Sequence, residues 1–180
     1  MPTEAEYRSM VRALDHAGLV RLWDGIEGGN TPGWGPGNAF EYSVLRAFEL
    51  EAAEVTWPYP VEMGGQEVEQ IDGVIHTADL FCLVESKHHA GPLNVEPIAK
   101  LRNQLGRRPM GVIGLVFSYN GFTEPARLLT RYLAPQTVLL WEGGEIASAI
   151  RSQSMVGGLR LKFRYAVEHG FPDYNLLGAP

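Results

Sequence analysis

The chain has almost no cysteine. Cys82 stands alone among 180 residues, so no disulfide framework can form within it, and a reducing, cytoplasmic setting is expected. It also has no basic excess. Lys and Arg number 15 against 21 Asp and Glu, a net charge of -6, which argues against a general polyanion-coating protein. Any nucleic-acid contact must then come from a local basic patch, a groove between copies or a partner. No run approaches the roughly 20 apolar residues that span a bilayer, and the N-terminus lacks the basic and apolar regions of a secretory signal. No internal repeat, low-complexity linker, zinc-type Cys/His spacing or winged-helix pattern marks a second module. One domain over residues 1–180 is the expectation.

What is present centres on Ile71 to Lys87. Ile71-Asp72-Gly73-Val74-Ile75 and Leu80-Phe81-Cys82-Leu83-Val84-Glu85-Ser86-Lys87 are apolar runs of strand length, joined by His76-Thr77-Ala78-Asp79. This pattern reads as a tight antiparallel hairpin. Side chains alternate along a strand, so Glu85 and Lys87 share a face about 7 Å apart. Equal pairing of the two runs sets Asp72 near Glu85. Two carboxylates and a lysine then converge at the end of a buried sheet, where charge is costly unless the groups pair with one another or hold a metal.

Around this hairpin the chain alternates helix and strand. Thr3 to Glu6 forms a capping box that opens a helix with Met10, Val11, Leu14 and Ala17 as its stripe and Gly18 as its stop. Gly25 to Asn38 is a glycine- and proline-rich loop bearing Trp34, either a connector or a loop near substrate. Asn38 starts a helix with Phe40, Val44, Ala47 and Phe48 at core spacing. Glu41 there has two readings: a capping-box glutamate, or a carboxylate facing the sheet. Val55 to Trp57 is a strand ended by Pro58 and Pro60, followed by a turn over Met63 to Gln66. Asn94 caps a helix with Ile98, Leu101 and Leu105 on one side; Lys100 and Gln104, one turn apart, either face the site or, the preferred reading, lie on a solvated face. Met110 to Ser118 is a buried strand, Thr123 caps a helix reaching about Leu133, and Thr137 to Trp141 is a further strand. The remainder is helical to Gly170, and Phe171 to Pro180 is a tail. This order implies an α/β domain with a mixed sheet flanked by helices.

Asp72 followed by Glu85-Ser86-Lys87 on the next strand, in this strand order, resembles the PD-(D/E)xK nuclease superfamily, and within it the Mrr-type restriction endonucleases. The likeness spans roughly Asn38 to Leu133. It rests on Gln70-Ile71-Asp72-Gly73, Glu85-Ser86-Lys87-His88 and Gly121-Phe122-Thr123-Glu124-Pro125-Ala126. Glu41 sits where many members carry a helix glutamate. Ser86 departs from the pattern, in a slot more often filled by cysteine or an apolar residue. The core is then residues 38–133, with an N-terminal helix and loop over 1–37 and a C-terminal strand, helices and tail over 134–180.

The resemblance implies a restriction-endonuclease-like core and metal-dependent hydrolysis of DNA phosphodiesters, in restriction or defence. Asp72, Glu85 and the Ser86 carbonyl would hold Mg²⁺, with Mn²⁺ able to substitute, because hard cations take oxygen ligands. Lys87 would orient or deprotonate the attacking water or stabilise the phosphate, and Glu41 would hold a second metal through water. Arg102, Arg107, Arg108 and Arg127 are candidate phosphate contacts. His88 and His89 lack zinc spacing and are expected on the solvent or substrate side. A homodimer, or a partner subunit supplying specificity, is expected because one site cuts one strand. Phe171, Tyr174, Leu176 and Leu177 would then offer apolar surface, the rival reading being that this tail folds back on its own core. The alternatives are a Holliday-junction-type nuclease and a catalytically silent nuclease-fold subunit.

Overall fold

The computed structural model describes residues 2–132 and 136–178. Thr3 closes its capping box with Glu6 and starts α1 (Glu4–Arg12). Asp15 then takes an extended backbone and accepts from the Gly18 amide at 2.7 Å, which starts α2 (His16–Glu27). The single helix expected up to Gly18 is therefore two, because an aspartate cap ends one helix and seeds the next. Helix α2 buries Leu19, Trp23 and Ile26 and runs to Glu27, so the loop begins at residue 28 and not at Gly25. That loop is fastened down: Trp34 stacks on Tyr7 at 5.3 Å, and the Gly35 amide donates to the Tyr7 hydroxyl at 2.9 Å.

Helix α3 (Asn38–Leu50) buries Phe40, Val44, Ala47 and Phe48 as expected, but its N-cap is Gly37, with no side-chain cap. Asn38 is thus the first helical residue, and Glu41 does not occupy a capping-box position. β1 (Glu54–Thr56) follows, then β2 (Tyr59–Met63) and β3 (Gln66–Ile71), paired antiparallel as a separate two-stranded sheet. Pro60 lies within β2 rather than ending a strand, which a short peripheral ribbon permits. β4 (Gly73–His76) and β5 (Phe81–Lys87) form the central hairpin. The apolar run from Ile71 to Ile75 is not one strand. It breaks at Asp72, where the chain passes from the small sheet to the large one.

The rest is α4 (Glu96–Leu105), β6 (Val112–Ser118), α5 (Glu124–Arg131), β7 (Val138–Glu142), α6 (Gly143–Ser152) and α7 (Met155–His169). The expected helix end at Leu133 lies outside the described residues. The large sheet runs β1-β4-β5-β6-β7, antiparallel across β1, β4 and β5 and parallel across β5, β6 and β7. It is the mixed sheet flanked by helices that the sequence implies. Strand alternation feeds two cores. Cys82 and Val84 join Trp23, Phe40, Phe48 and Phe117 on one face. Leu83 joins Ile71, Ile98, Leu101 and Leu105 on the other.

The C-terminal segment folds back on this core. Lys162 and Glu145 form an ion pair that is 0% and 1% exposed, with Nζ 2.9 and 2.8 Å from the two carboxylate oxygens. Lys162 also donates to the Tyr174 carbonyl, Glu145 accepts from the Leu176 amide at 2.9 Å, and Tyr174 stacks on Tyr165 at 3.9 Å. Tyr174 and Leu176 are therefore engaged by their own chain. Of the two readings of the tail this is the folded-back one, with Phe171 and Leu177 still exposed: two buried charges require the tail's backbone to complete their hydrogen bonds. Among the described residues, no helix is long and apolar enough to cross a membrane.

Candidate active site

The hairpin register sets Gly73 opposite Val84, so Asp72 and Glu85 are the next pair along the two chains. Two close approaches bring helices to this spot. A Cβ on Gly73 would lie 2.7 Å from Leu45 Cδ2, so the glycine lets α3 settle on the hairpin with Glu41 one turn before Leu45. A Cβ on Gly114 would lie 2.8 Å from Leu101 Cδ2, which lets α4 lie against β6 with Lys100 beside Leu101.

Asp72 is held by Ser86. Its Oδ2 accepts from the Ser86 amide at 2.6 Å and from the Ser86 hydroxyl at 3.2 Å. The departure at Ser86 thus has a use, since a cysteine or apolar side chain would not supply this hydroxyl donor. Lys87 Nζ lies 2.7 Å from Glu85 Oε1, 3.1 Å from the Ser86 carbonyl and 3.8 Å from Asp72 Oδ2. An ammonium is therefore seated among the three oxygens that the resemblance assigns to a metal. Lys100 Nζ donates to both Glu85 oxygens, at 3.1 and 2.8 Å. Glu85 itself is 1% exposed.

Burial raises the Asp72 carboxyl above its usual range, and the Glu85 charge adds to this. Lys87, the Ser86 amide and Lys100 pull it back only in part. Glu41 is pushed up to about 8 by burial first, then by Asp72, with Glu85 adding and Lys87 opposing. Its carboxyl thus belongs to the same electrostatic cluster and carries a proton at neutral pH. Burial lowers Lys87, but Asp72, Glu85 and Glu41 outweigh it, and the ammonium ends above its ordinary value. Desolvation and the neighbouring carboxylates thus oppose one another at Lys87, and the balance favours the charged form.

Among the described residues no group of three or more His, Cys, Asp and Glu side chains is arranged to hold a metal ion. Mg²⁺ does not require one, because it is commonly held by one or two carboxylates, waters and substrate phosphate. Asp72, Glu85 and the Ser86 carbonyl are hard oxygen donors already converging on a cation, that of Lys87, and so fit such a group.

Of the two residues expected on a solvated face, Lys100 stays exposed and only its ammonium reaches Glu85, whereas Gln104 turns inward. Gln104 is buried. Its Nε2 donates to the Gln70 carbonyl at 3.4 Å, and its Oε1 has no partner among the described residues. Lys100 borders two grooves. One, of about 470 Å³, is lined by Glu85, Lys87, His89 and Asn94, and the other, of about 550 Å³, by Glu69, Gln104 and Arg107. The signal for Lys100 and Gln104 was their one-turn spacing beside Leu101 and Leu105.

The arginines are engaged elsewhere. Arg107 and Arg108 both bind Glu69 of β3, the latter at 2.8 Å, and Arg102 donates to Gln136 at 3.4 Å. Arg127 pairs with Glu142 and borders a different cleft, with Arg131 and Asp173. The Gly121 to Thr123 segment is structural. Leu93 donates to the Gly121 carbonyl and Thr123 to the Leu93 carbonyl, both at 2.9 Å, which buckles the loop leaving Lys87.

No protein-family model matches the chain, and no curated protein matches it. Solved structures similar to it include a protein of unknown function, AF1548, at 17% identity, covering 73% of this chain and 77% of that one, with a TM-score of 0.44. Another is the MspJI restriction endonuclease in complex with a 27-mer oligonucleotide, at 17% identity over 98% of this chain, with a TM-score of 0.43. A third is the DNA modification-dependent restriction endonuclease AspBHI, at 15% identity over 92%, with a TM-score of 0.48. The chain spans 38% and 43% of these two enzymes. A likeness this loose leaves the chemistry to the side chains.

Proposed function

We propose that this chain is a metal-dependent endonuclease that hydrolyses DNA phosphodiester bonds, with Mg²⁺ or Mn²⁺ held by Asp72, Glu85 and the Ser86 carbonyl. One observation carries the reading: two carboxylates and a carbonyl, placed by the Asp72 break and the end of β5, already surround a cationic nitrogen. When bound, the metal supplies charge neutralisation at the phosphate and a more acidic water. Lys87 donates to the attacking water or to a phosphate oxygen. Glu85 keeps Lys87 charged and aimed, and the Ser86 hydroxyl and amide fix the Asp72 rotamer. Glu41, whose carboxyl burial and Asp72 raise, would hold a second metal through water. Arg107 and Arg108 share one carboxylate, leaving net positive charge beside the Lys100 grooves for the phosphate backbone.

One such cluster per chain nicks one strand per encounter, so double-strand cleavage requires a second copy or a partner. Incubation with supercoiled plasmid should give nicked circles with Mg²⁺ or Mn²⁺ and none in excess EDTA. Asp72→Ala and Glu85→Ala should each abolish nicking while retaining the fold. Undiminished cutting in EDTA would overturn the reading. A second reading, a catalytically silent nuclease-fold subunit, is favoured by the two lysines that satisfy Glu85 without any metal. Its mark is DNA binding with no nicking under either cation.

A further inference from the structure

The residue after Lys87 is the exposed end of an aromatic column. The His88 ring lies 4.5 Å from Tyr119 and 5.6 Å from Phe40, centroid to centroid. Phe40 meets Tyr119 edge-on at 6.1 Å and Trp23 at 5.7 Å. Trp23 and Phe40 are fully buried, Tyr119 is half-buried and His88 is exposed. The column is tied to the site by backbone as well, since the Tyr119 amide donates to the Lys87 carbonyl at 3.2 Å. Phe40 directly precedes Glu41 on α3, so the column stands on the Glu41 side of the carboxylates. His89, by contrast, lines the groove on the Lys100 side.

A lone exposed ring calls for no explanation. This one leans on a support rooted in the core, its plane at 36° to Phe40 and 58° to Tyr119, immediately beside groups suited to a phosphodiester. Its outer face is open to solvent, and every nucleobase offers a π-face to such a surface.

We propose that His88 is a stacking platform for the nucleobase next to the scissile phosphate, and that its ligand is an unstacked base of a polynucleotide strand. This rests on the nuclease reading of the neighbouring cluster. It adds a base-contacting subsite that accepts any base and therefore favours strands whose bases are already exposed.

The test uses the full chain in excess EDTA, with two fluorescein-labelled strands of equal length: an oligothymidylate and an abasic backbone. Fluorescence anisotropy should show tighter binding to the base-bearing strand. His88→Ala should weaken that binding by about 5-fold or more, leave the abasic strand unaffected and melt with wild type. His88→Phe should bind as wild type does. Equal losses on both strands would indicate a phosphate contact and overturn the platform. So would no loss at all, a His88→Phe variant as weak as His88→Ala, or no strand binding by wild type. Plasmid nicking by the same preparation separates the two ideas. Nicking without a His88 effect on binding removes the platform alone, and base-dependent binding without nicking removes the nuclease reading alone.

Discussion

Lys100 clasps Glu85 through both carboxylate oxygens, at 3.1 and 2.8 Å, from the helix facing the strand that bears Lys87. Glu85 therefore serves two ammonium groups at once, and any metal must compete with both. Lys100 is about half exposed, so it can move to solvent or substrate when a cation arrives. Calorimetric titration of Lys100→Met with Mn²⁺ should show affinity several-fold tighter than wild type. The melting temperature should change little, because a half-exposed ion pair contributes less than about 1 kcal/mol. Unchanged Mn²⁺ affinity would mean that Lys100 does not guard the carboxylate.

Glu41 makes the cation-free protein sensitive to pH. Its folded-state pKa of about 8 lies above the ordinary glutamate value, so the folded chain keeps a proton that the unfolded chain has already lost. Stability should therefore fall as pH rises from about 4.5 to about 8 and level off beyond, with Asp72 acting in the same direction. Glu41→Gln removes this slope in part. In EDTA at about pH 8.5 it should melt above wild type by about 2–4 °C per kcal/mol relieved, with the gap closing near pH 5. A variant less stable than wild type at both pH values would mean that Glu41 serves the fold rather than the site.

The opposition of Asp72 and Glu85 was legible because strand pairing has period two and the His76 to Asp79 turn leaves little choice of register. The break at Asp72 was not, since Ile71 and Val74 are apolar whether the strand continues or changes sheets. The β2–β3 ribbon stayed hidden because Glu62, Glu67 and Glu69 blur any apolar alternation. Lys100 was ambiguous for a different reason. It lies at the edge of the α4 stripe, and only the Gly114 approach decides which way that edge faces. The sequence left the tail undecided between docked and free because its anchors are the Leu176 amide and the Tyr174 carbonyl, groups that every residue has.

Gly73 is the position where packing and chemistry meet. A methyl group there lands on the tip of Leu45, which is fully buried, so Leu45 must repack on the helix that carries Glu41. Gly73→Ala should cost about 1–3 kcal/mol by overpacking and reduce nicking beyond what lost stability explains. Trimming the obstacle tests the cause. Gly73→Ala with Leu45→Val should recover both melting temperature and nicking, and double-mutant coupling near zero would show that the two do not share this contact.

The Lys162–Glu145 pair should be the molecule's most sensitive electrostatic element outside the site. Both side chains are almost wholly inaccessible, Lys162 also lies 5.1 Å from the Trp141 ring, and Glu145 accepts from the amides of Glu142 and Leu176. Lys162→Met strands a buried carboxylate and should cost about 3–5 kcal/mol. The loss should fall first on the C-terminal segment, because the Tyr174 carbonyl loses its donor and the Leu176 amide then bonds to an uncompensated charge. Limited proteolysis should accordingly cut within residues 171–178 in Lys162→Met and spare them in wild type. Adding Glu145→Gln neutralises the stranded group while its amide oxygen can still accept from the backbone. The double variant should regain much of the melting temperature and the protease resistance. A single variant as resistant as wild type would mean that apolar packing of Leu176, not the ion pair, holds the segment in place.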